Sequence, residues 1–427
     1  MRVLLVSVIT ENIHMTVLPL GTAAVAAAAR EAGHTVRMLS LRSGREDYPD
    51  MLRGAIMEFE PEVIGVSLRN IDDQTSKGTV FLVPPVKKTV EVCKEHSHAP
   101  VVLGGAGFSI FPESALAYTG ADMGIRGEGE GAFVMLLDRL SSGEDPSDVP
   151  GLYQPGKKPL HPPLLPQTLD AYPMPLPWVH LEIPRDAPDA PVWVPIQTRR
   201  GCPMDCSYCS TAAIEGRRLR KFSPEKVIRT IEAYVDAGVR HFFFVDNTFN
   251  LPPSYAEEIC DRIISQRLNI RSRCIIYPYM VERRLAEKMA EAGFREVSLG
   301  FESGSETVLK CFNKKFSIED IRTISKLFHA CGIFQMGFLM LGGPGETRET
   351  VLESLRLMDE LPLDMVKITV GIRIYPHTEL AEKAIREGRI SSHDGLLFPA
   401  FYIKEEMKDW LYATVAEWAG DRPNWMT

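Results

Sequence analysis

The sequence predicts an α/β protein of two domains, each built on a parallel sheet, followed by a short helical tail. Three observations support this. Short apolar strands alternate with amphipathic helices over the first 140 residues, a Pro-rich stretch then interrupts the pattern, and the alternation resumes and runs to about residue 390. At 427 residues the chain is long for one domain and sufficient for two, each able to bury a core. The reading divides it into domain 1–145, linker 146–192, domain 193–390 and tail 391–427.

In the first domain residues 2–8 read as a strand closed by Glu11, and 20–31 as an Ala-rich helix stopped by Gly33. Further strands are expected at 36–41, 63–67, 101–104 and 123–125, with helices such as 84–95 and 113–118 between them. This is a doubly wound pattern, whose ligands sit outside the carboxyl ends of the strands, at the turns after Ser67 and Leu103. From 150 to 195 the prolines, among them Pro162, Pro163, Pro166, Pro173, Pro175, Pro177, Pro184, Pro188 and Pro191, break any continued helix or central strand. Leu164, Leu165, Trp178 and Trp193 indicate that this linker packs against the domains. Beyond it, strands are expected at 242–245, 273–276, 296–300, 335–341 and 367–374, with helices such as 224–237, 255–267 and 350–360. Six such units after a cysteine-bearing loop imply a partial (β/α)6 barrel, and Trp410, Trp418 and Trp425 mark a final helix and aromatic tail.

Hydrophobic content of 45%, charged content of 24% and a net charge of -8 describe an ordinary globular protein without a basic footprint for nucleic acid. The apolar stretch 21–29 is too short to span a bilayer and residues 1–10 do not read as a signal peptide, so a cytoplasmic protein without a membrane span is expected. Cys93, Cys260, Cys274, Cys311 and Cys331 are scattered singly in apolar patterns, as buried thiols of a reducing compartment are.

The other three cysteines, Cys202, Cys206 and Cys209, stand in one short loop with C-x3-C-x2-C spacing. Tetrahedral zinc normally takes a fourth protein ligand from a second Cys or His pair, which the sequence lacks, whereas three thiolates suit three irons of a cubane and leave the fourth iron open. The loop resembles the signature of the radical S-adenosylmethionine (SAM) enzymes, with Tyr208 in the aromatic position before the last cysteine. The resemblance covers about 193–388 and implies that SAM chelates the open iron of a [4Fe-4S] cluster.

Four further segments resemble barrel motifs of that family. Asp246 and Asn247, at a strand end, match the polar turn that holds the SAM amino group; alone, such a pair is an ordinary turn. Glu302 and Ser303 match a strand-end Glu-Ser motif that reaches polar groups of SAM, and Ser303 with Glu306 can also be a helix capping box. The turn containing Gly343 matches one that lets backbone approach SAM, and Arg373 and Ile374 occupy the sixth-strand position whose backbone flanks the adenine. His377 is read as a loop residue. Two basic clusters remain: Arg199 and Arg200, and Arg217, Arg218, Arg220 and Lys221. They are either a solvated face or charges that neutralise the cluster or SAM, or dock an acidic electron donor.

The first domain lacks a G-x-G-x-x-G turn after its first strand, against a nicotinamide site. Its segments containing Ser67, Leu68, Arg69 and Asn70, then Gly104, Gly105 and Ala106, then Gly127 and Glu128 resemble the cobalamin-binding domain that precedes the barrel in B12-dependent radical SAM enzymes. Small residues at strand ends would let a flat corrin approach the backbone. No D-x-H-x-x-G occurs, and His14, His34, His96 and His98 stand in other contexts, so no histidine ligand to cobalt is expected.

This resemblance implies a cobalamin-dependent radical SAM C-methyltransferase: one SAM yields a 5'-deoxyadenosyl radical that takes a substrate hydrogen, and methylcobalamin, remade by a second SAM, supplies the methyl group. An external electron donor such as ferredoxin or flavodoxin is implied. The compact plan is similar to enzymes that C-methylate polypeptide residues such as glutamine, and a lipid or small-molecule precursor is the other substrate class. Ring closure or rearrangement with the same cofactors is the alternative chemistry. A cobalamin sensor would need an effector domain, and a methylthiotransferase a second cysteine trio. Tyr277, Tyr279, Tyr375 and Tyr402 are packing aromatics, with Tyr279 and Tyr375 the catalytic candidates among them.

Overall fold

The computed structural model describes residues 1–10, 18–42, 47–178 and 192–427. Glu11, His14, Pro184, Pro188 and Pro191 lie outside the described residues. In the first domain β1 (Arg2–Ile9), β2 (Thr35–Arg42), β3 (Val63–Ser67), β4 (Val101–Gly104) and β5 (Met123–Ile125) form a parallel sheet in the order β2-β1-β3-β4-β5. Its helices are α1 (Leu20–Glu31), α2 (Tyr48–Phe59), α3 (Pro84–His96), α4 (Ala106–Ile110), α5 (Pro112–Thr119) and α6 (Gly129–Ser142). Alternate residues of β1 explain its unbroken apolar run. Val3 and Leu5 pack with Ala26 and Ala29 of α1 and Phe133 and Leu136 of α6, while Leu4 and Val6 pack with Leu52 of α2, Val90 of α3 and Leu116 of α5.

The Pro-rich stretch is more structured than a linker. It contributes β6 (Leu152–Tyr153), antiparallel to β5 at the sheet edge, and places Leu169 and Met174 in the core of the second domain. Trp178 lies under the Arg30 guanidinium, 3.6 Å from ring centroid to Cζ.

The second domain opens with β7 (Trp193–Ile196) and the ribbon β8 (Arg199–Arg200) with β9 (Arg220–Lys221), which brackets the cysteine loop and α7 (Thr211–Glu215). Then follow α8 (Pro224–Asp236), β10 (His241–Phe244), α9 (Pro253–Ser265), β11 (Arg271–Ile276), α10 (Arg283–Glu291), β12 (Phe294–Glu302), α11 (Glu306–Cys311), α12 (Ile318–Ala330), β13 (Phe334–Leu341), α13 (Arg348–Glu360) and β14 (Met365–Val370). The barrel sheet runs β7-β10-β11-β12-β13-β14, all parallel. One expectation is corrected here: the first barrel strand precedes the cysteine loop. Pro195 read as a breaker, yet β7 is hydrogen-bonded to β10 on one side only, and an edge strand tolerates the missing N–H.

The strand expected at 367–374 is also interrupted. Gly371, at φ 79°, turns the chain from β14 into β15 (Ile372–Arg373), which pairs antiparallel with β16 (Phe401–Tyr402) after α14 (Glu379–Arg386). The tail forms α15 (Lys408–Gly420), and β17 (Trp425–Met426) extends the barrel sheet beyond β14.

The barrel strands bury every second residue against the helices: Phe242, Phe244, Cys274, Val297, Leu299, Leu339 and Ile368 share one core with Ile231, Ile259, Leu285, Phe328 and Leu355. The opposite face, with Phe243, Ile275, Ser298, Met336, Phe338 and Thr369 all half-buried, lines the concave side of the sheet.

The two domains share a second core. Leu68, Ile71, Phe108 and Phe111 of the first pack with Val308, Phe312, Ile372, Ile374 and Leu380 of the second. Within this contact Asp72, in the turn after β3, meets Arg373 at 2.7 Å with both side chains almost fully buried. Arg373 also donates to the carbonyls of Ile374 (2.7 Å) and Leu396 (2.8 Å), which satisfies a guanidinium that burial would otherwise penalise. Nearby Ser76 contacts the Val370 carbonyl and, at 2.6 Å, the Tyr412 hydroxyl. Asp72→Ala is expected to destabilise the protein by about 3 kcal/mol or more, because it strands a buried guanidinium. Urea unfolding checks this; a loss below about 1 kcal/mol would show that the pair does not lock the domains.

Candidate active site

The cysteine loop is held at its base by a glycine and along its length by the far side of the barrel. Gly201 has φ 87°, and a Cβ there would lie 2.1 Å from the Arg218 carbonyl oxygen, so only glycine lets the two arms of the loop close. Glu215, on α7, accepts hydrogen bonds from Gly201 N (3.0 Å), Gln197 Nε2 (2.8 Å) and Asn247 Nδ2 (2.9 Å). Burial pushes its carboxyl above the usual range, partly offset by the Gly201 amide. On the other side, the Ser207 amide and hydroxyl donate to the carbonyls of Phe312 (3.2 Å) and Cys311 (2.9 Å), Asn313 donates to Asp205 O (3.2 Å), and Leu380 N donates to Ser207 O (2.8 Å).

Cys202, Cys206 and Cys209 are all free thiols. Burial is the largest influence on the thiols of Cys202 and Cys206, pushing that of Cys206 up to about 11, and Cys209 acts electrostatically on both. The three therefore share one small space. Among the described residues no three His, Cys, Asp or Glu side chains converge as a single-ion site.

The residues matched to SAM motifs divide into two groups. Tyr208, Asn247 and Glu302 are half-buried, with Asn247 bonded to Glu215 and Glu302 3.5 Å from the Lys314 ammonium. Burial raises the Tyr208 phenol well above its ordinary value, and the Glu302 carboxylate facing it adds to this. Glu302 itself stands at φ 68°, at an irregularity in the β12–β13 register, a backbone conformation unfavourable for a side-chain-bearing residue.

The second group is committed internally. Asp246 is fully buried and accepts from Thr198 N (2.7 Å), Thr198 Oγ1 (2.6 Å) and Arg199 N (3.1 Å), fixing the β7–β8 corner. Ser303 is fully buried, 3.2 Å from the Ser354 hydroxyl, and accepts from Ser305 N. The capping box expected from Ser303 and Glu306 does not form: Ser305 is the N-cap residue of α11, and Glu306 instead accepts from Ile318 N at 2.8 Å. A Cβ on Gly343 would meet Ile372 at 2.6 Å and the Phe312 ring at 2.9 Å. The turn around it is held by Glu346, whose Oε2 accepts from Gly342 N (2.7 Å) and Gly343 N (3.2 Å), and whose carboxyl is pushed by burial to about 7. Arg373 and Ile374 belong to the interdomain contact described above.

The cobalamin-motif residues lie at the carboxyl ends of β3, β4 and β5, facing this loop. Gly105 (φ 100°) and Gly107 come so close to the Leu68 carbonyl that a Cβ would lie 2.7 and 3.1 Å from it; the Gly107 amide donates to Leu68 O and Arg69 O. Gly104 has open space where its Cβ would be, a cradle that a planar ligand can approach. Ala106 starts α4, which packs on α7 beside the cysteine loop; Ser67 ends β3, and Asn70 lies in the turn after it. Gly127 N donates to Ser109 Oγ at 2.9 Å.

Glu128 is part of a buried ion network. It meets Arg220 at 2.6 Å and Arg200 at 3.6 Å, and Arg200 meets Glu130 at 2.5 Å. Burial raises the Glu128 carboxyl and the two arginines oppose it. This corrects the readings for Arg199, Arg200 and Arg220, which are buried and internally paired; Arg217, Arg218 and Lys221 are exposed, as a solvated face or a docking surface requires. Of the tyrosines, Tyr279 is 37% exposed; Tyr375 is half-buried, 6.3 Å from Phe111 by ring centroids, with Cys209 and Asp72 near enough to raise its phenol further after burial. Sequence reasoning missed Glu215 and Lys314, whose positions carry no motif, and gave no role to Asp72 or Glu130, which end two of the cobalamin-like segments.

A doubly wound domain and a partial barrel whose strand ends converge on a three-thiol loop define a two-domain cofactor enzyme. The Radical SAM superfamily model matches residues 196–358 and the B12 binding domain model residues 6–137. An uncharacterized methyltransferase of Pyrococcus horikoshii is 30% identical over 401 residues, covering 90% of this chain and 83% of the relative. The tryptophan 2-C-methyltransferase of Streptomyces laurentii is 24% identical, with 88% and 74% covered. The structure of the radical SAM methyltransferase TsrM from Kitasatospora setae, with cobalamin and [4Fe-4S] cluster bound, superposes with a TM-score of 0.86 at 20% identity, covering 100% of this chain and 90% of that one. The chain belongs to the cobalamin-dependent radical SAM methyltransferases. Its cofactors are a [4Fe-4S] cluster, SAM and cobalamin. No helix among the described residues is long and apolar enough to cross a membrane.

Gly201→Ala is expected to abolish or severely reduce cluster incorporation, because the 2.1 Å approach is to backbone. Iron and sulfide content after anaerobic reconstitution checks this; wild-type iron content would contradict it.

Proposed function

We propose that this enzyme methylates an unactivated carbon of a slender substrate, a polypeptide residue such as glutamine or a comparable small molecule, held on the concave face of the barrel. Supporting this is the convergence of the strand ends of both domains on one crevice, with the half-buried wall of Phe243, Ile275, Ser298, Met336, Phe338 and Thr369 leading from it. At the far end the Arg273 guanidinium lies over the rings of Trp193 (4.4 Å) and Phe243 (4.5 Å), which narrows that end and leaves the interdomain side as the entrance.

In this reading Cys202, Cys206 and Cys209 hold the cluster, and Tyr208, Asn247 and Glu302 orient SAM. The turns at 67–70 and 104–106, with Gly127, bound the cobalamin. When bound, the three cofactors supply a hydrogen-abstracting radical and a transferable methyl group. Chain residues contribute position and exclusion of water: the shared core seals the crevice from one side, and Tyr375 packs against that core beside Phe111. Asp246, Ser303, Gly343, Arg373 and Ile374 shape the SAM side of the barrel, and Glu128 fixes the cobalamin side, through the internal bonds described. Arg217, Arg218 and Lys221 offer an exposed basic surface to an acidic one-electron donor such as ferredoxin or flavodoxin.

Anaerobic incubation of the reconstituted enzyme with CD3-labelled SAM, a reductant and a polypeptide or small-molecule pool should yield S-adenosylhomocysteine and 5'-deoxyadenosine in roughly equal amounts, with the label in one product. Substrate-dependent 5'-deoxyadenosine without label transfer would replace this reading with ring closure or rearrangement.

A further inference from the structure

A buried ammonium stands behind the cysteine loop with few partners. Lys314 follows α11, in the segment that carries the carbonyls and Asn313 contacts gripping residues 205–207. Its side chain is 3% exposed. The Nζ lies 3.3 Å from the Gly300 carbonyl and 3.5 Å from Glu302 Oε1, both long contacts for a charged donor with three N–H groups. Three ring faces complete its surroundings, with centroids 5.4 Å (Tyr208), 5.5 Å (Tyr277) and 5.8 Å (Phe316) from Nζ. Tyr277 is fixed for this: its hydroxyl accepts from Lys315 N at 3.0 Å, and its backbone is held by Asn250. Lys314 also acts electrostatically on Cys206 and Cys202.

A desolvated ammonium with a single distant carboxylate is costly, and apolar side chains of similar length would fill an aromatic cage at lower cost. We propose that Lys314 is the resident counter-charge of the cluster, a positioning residue that favours the more negative, reduced cluster electrostatically and holds Glu302 toward the SAM side. Gaining an electron adds negative charge to a thiolate-ligated site, so a fixed cation a short distance away in low dielectric raises its reduction potential. The inference rests on the assignment of the cluster to Cys202, Cys206 and Cys209, and goes beyond it in naming what tunes that cluster.

The test is an EPR-monitored redox titration of the reconstituted holoenzyme with Lys314→Met, Lys314→Gln and Lys314→Arg, folding being checked by circular dichroism. A Cys202→Ala/Cys206→Ala/Cys209→Ala variant serves as the control for cluster assignment. Removing the charge should leave the cluster at least about tenfold less reduced at a fixed potential, equivalent to about 59 mV for one electron, whereas Lys314→Arg should stay close to wild type. Loss of iron from both Met and Gln variants with retention in Arg supports the same assignment. An unchanged midpoint in the uncharged variants, or iron loss from all three, overturns it. A cluster that persists in the triple-alanine control refutes the cysteine assignment instead.

Discussion

The site depends on a buried ion network that ties the base of the cysteine loop to the other domain. Arg200 immediately precedes the Gly201 turn and reaches across to Glu128 and Glu130 at the start of α6, and Arg220, which closes the ribbon after it, reaches Glu128. Four charges with almost no solvent exposure cannot be left singly in low dielectric, so the arrangement holds only while both domains are in register. The loop at the end of β5 and the loop that holds the thiols are thereby fixed to one another. Asp72 with Arg373 does the same on the opposite side of the crevice.

Once those pairs set the frame, the polar groups sort by what they must satisfy. Asp246 caps the β7–β8 corner, Glu215 the Gly201 amide and Glu346 the Gly342–Gly343 amides; each buried carboxylate neutralises backbone donors that would otherwise be orphaned. What remains at the crevice is a short set of polar side chains, Tyr208, Asn247 and Glu302, and the cage around Lys314.

Much of this was legible in the sequence. The strands of the first domain lie within a residue or so of their expected bounds, since sheets buried on both faces produce unbroken apolar runs between Gly- and Pro-marked turns. The C-x3-C-x2-C spacing located the three-thiol loop. Less legible were features that depend on distant partners. Pro195 concealed the edge strand β7, because the sequence alone does not say on which side a strand is paired. Arg200 and Arg220 read as surface charge, since Glu128 and Glu130 lie 70 or more residues away and the ion pairs exist only after domain docking. Lys314, within Asn313-Lys314-Lys315, has the appearance of a solvated turn, and only its aromatic cage distinguishes it from its exposed neighbour Lys315.

The central claim is that one crevice between two locked domains brings the cluster and cobalamin within reach of a single substrate. The most direct measurement is EPR of the anaerobically reduced holoenzyme containing both cob(II)alamin and the reduced cluster. The account predicts magnetic coupling that broadens or speeds the relaxation of both signals relative to samples with only one paramagnet. Two independent, unperturbed spectra would place the cofactors in separate sites and contradict it.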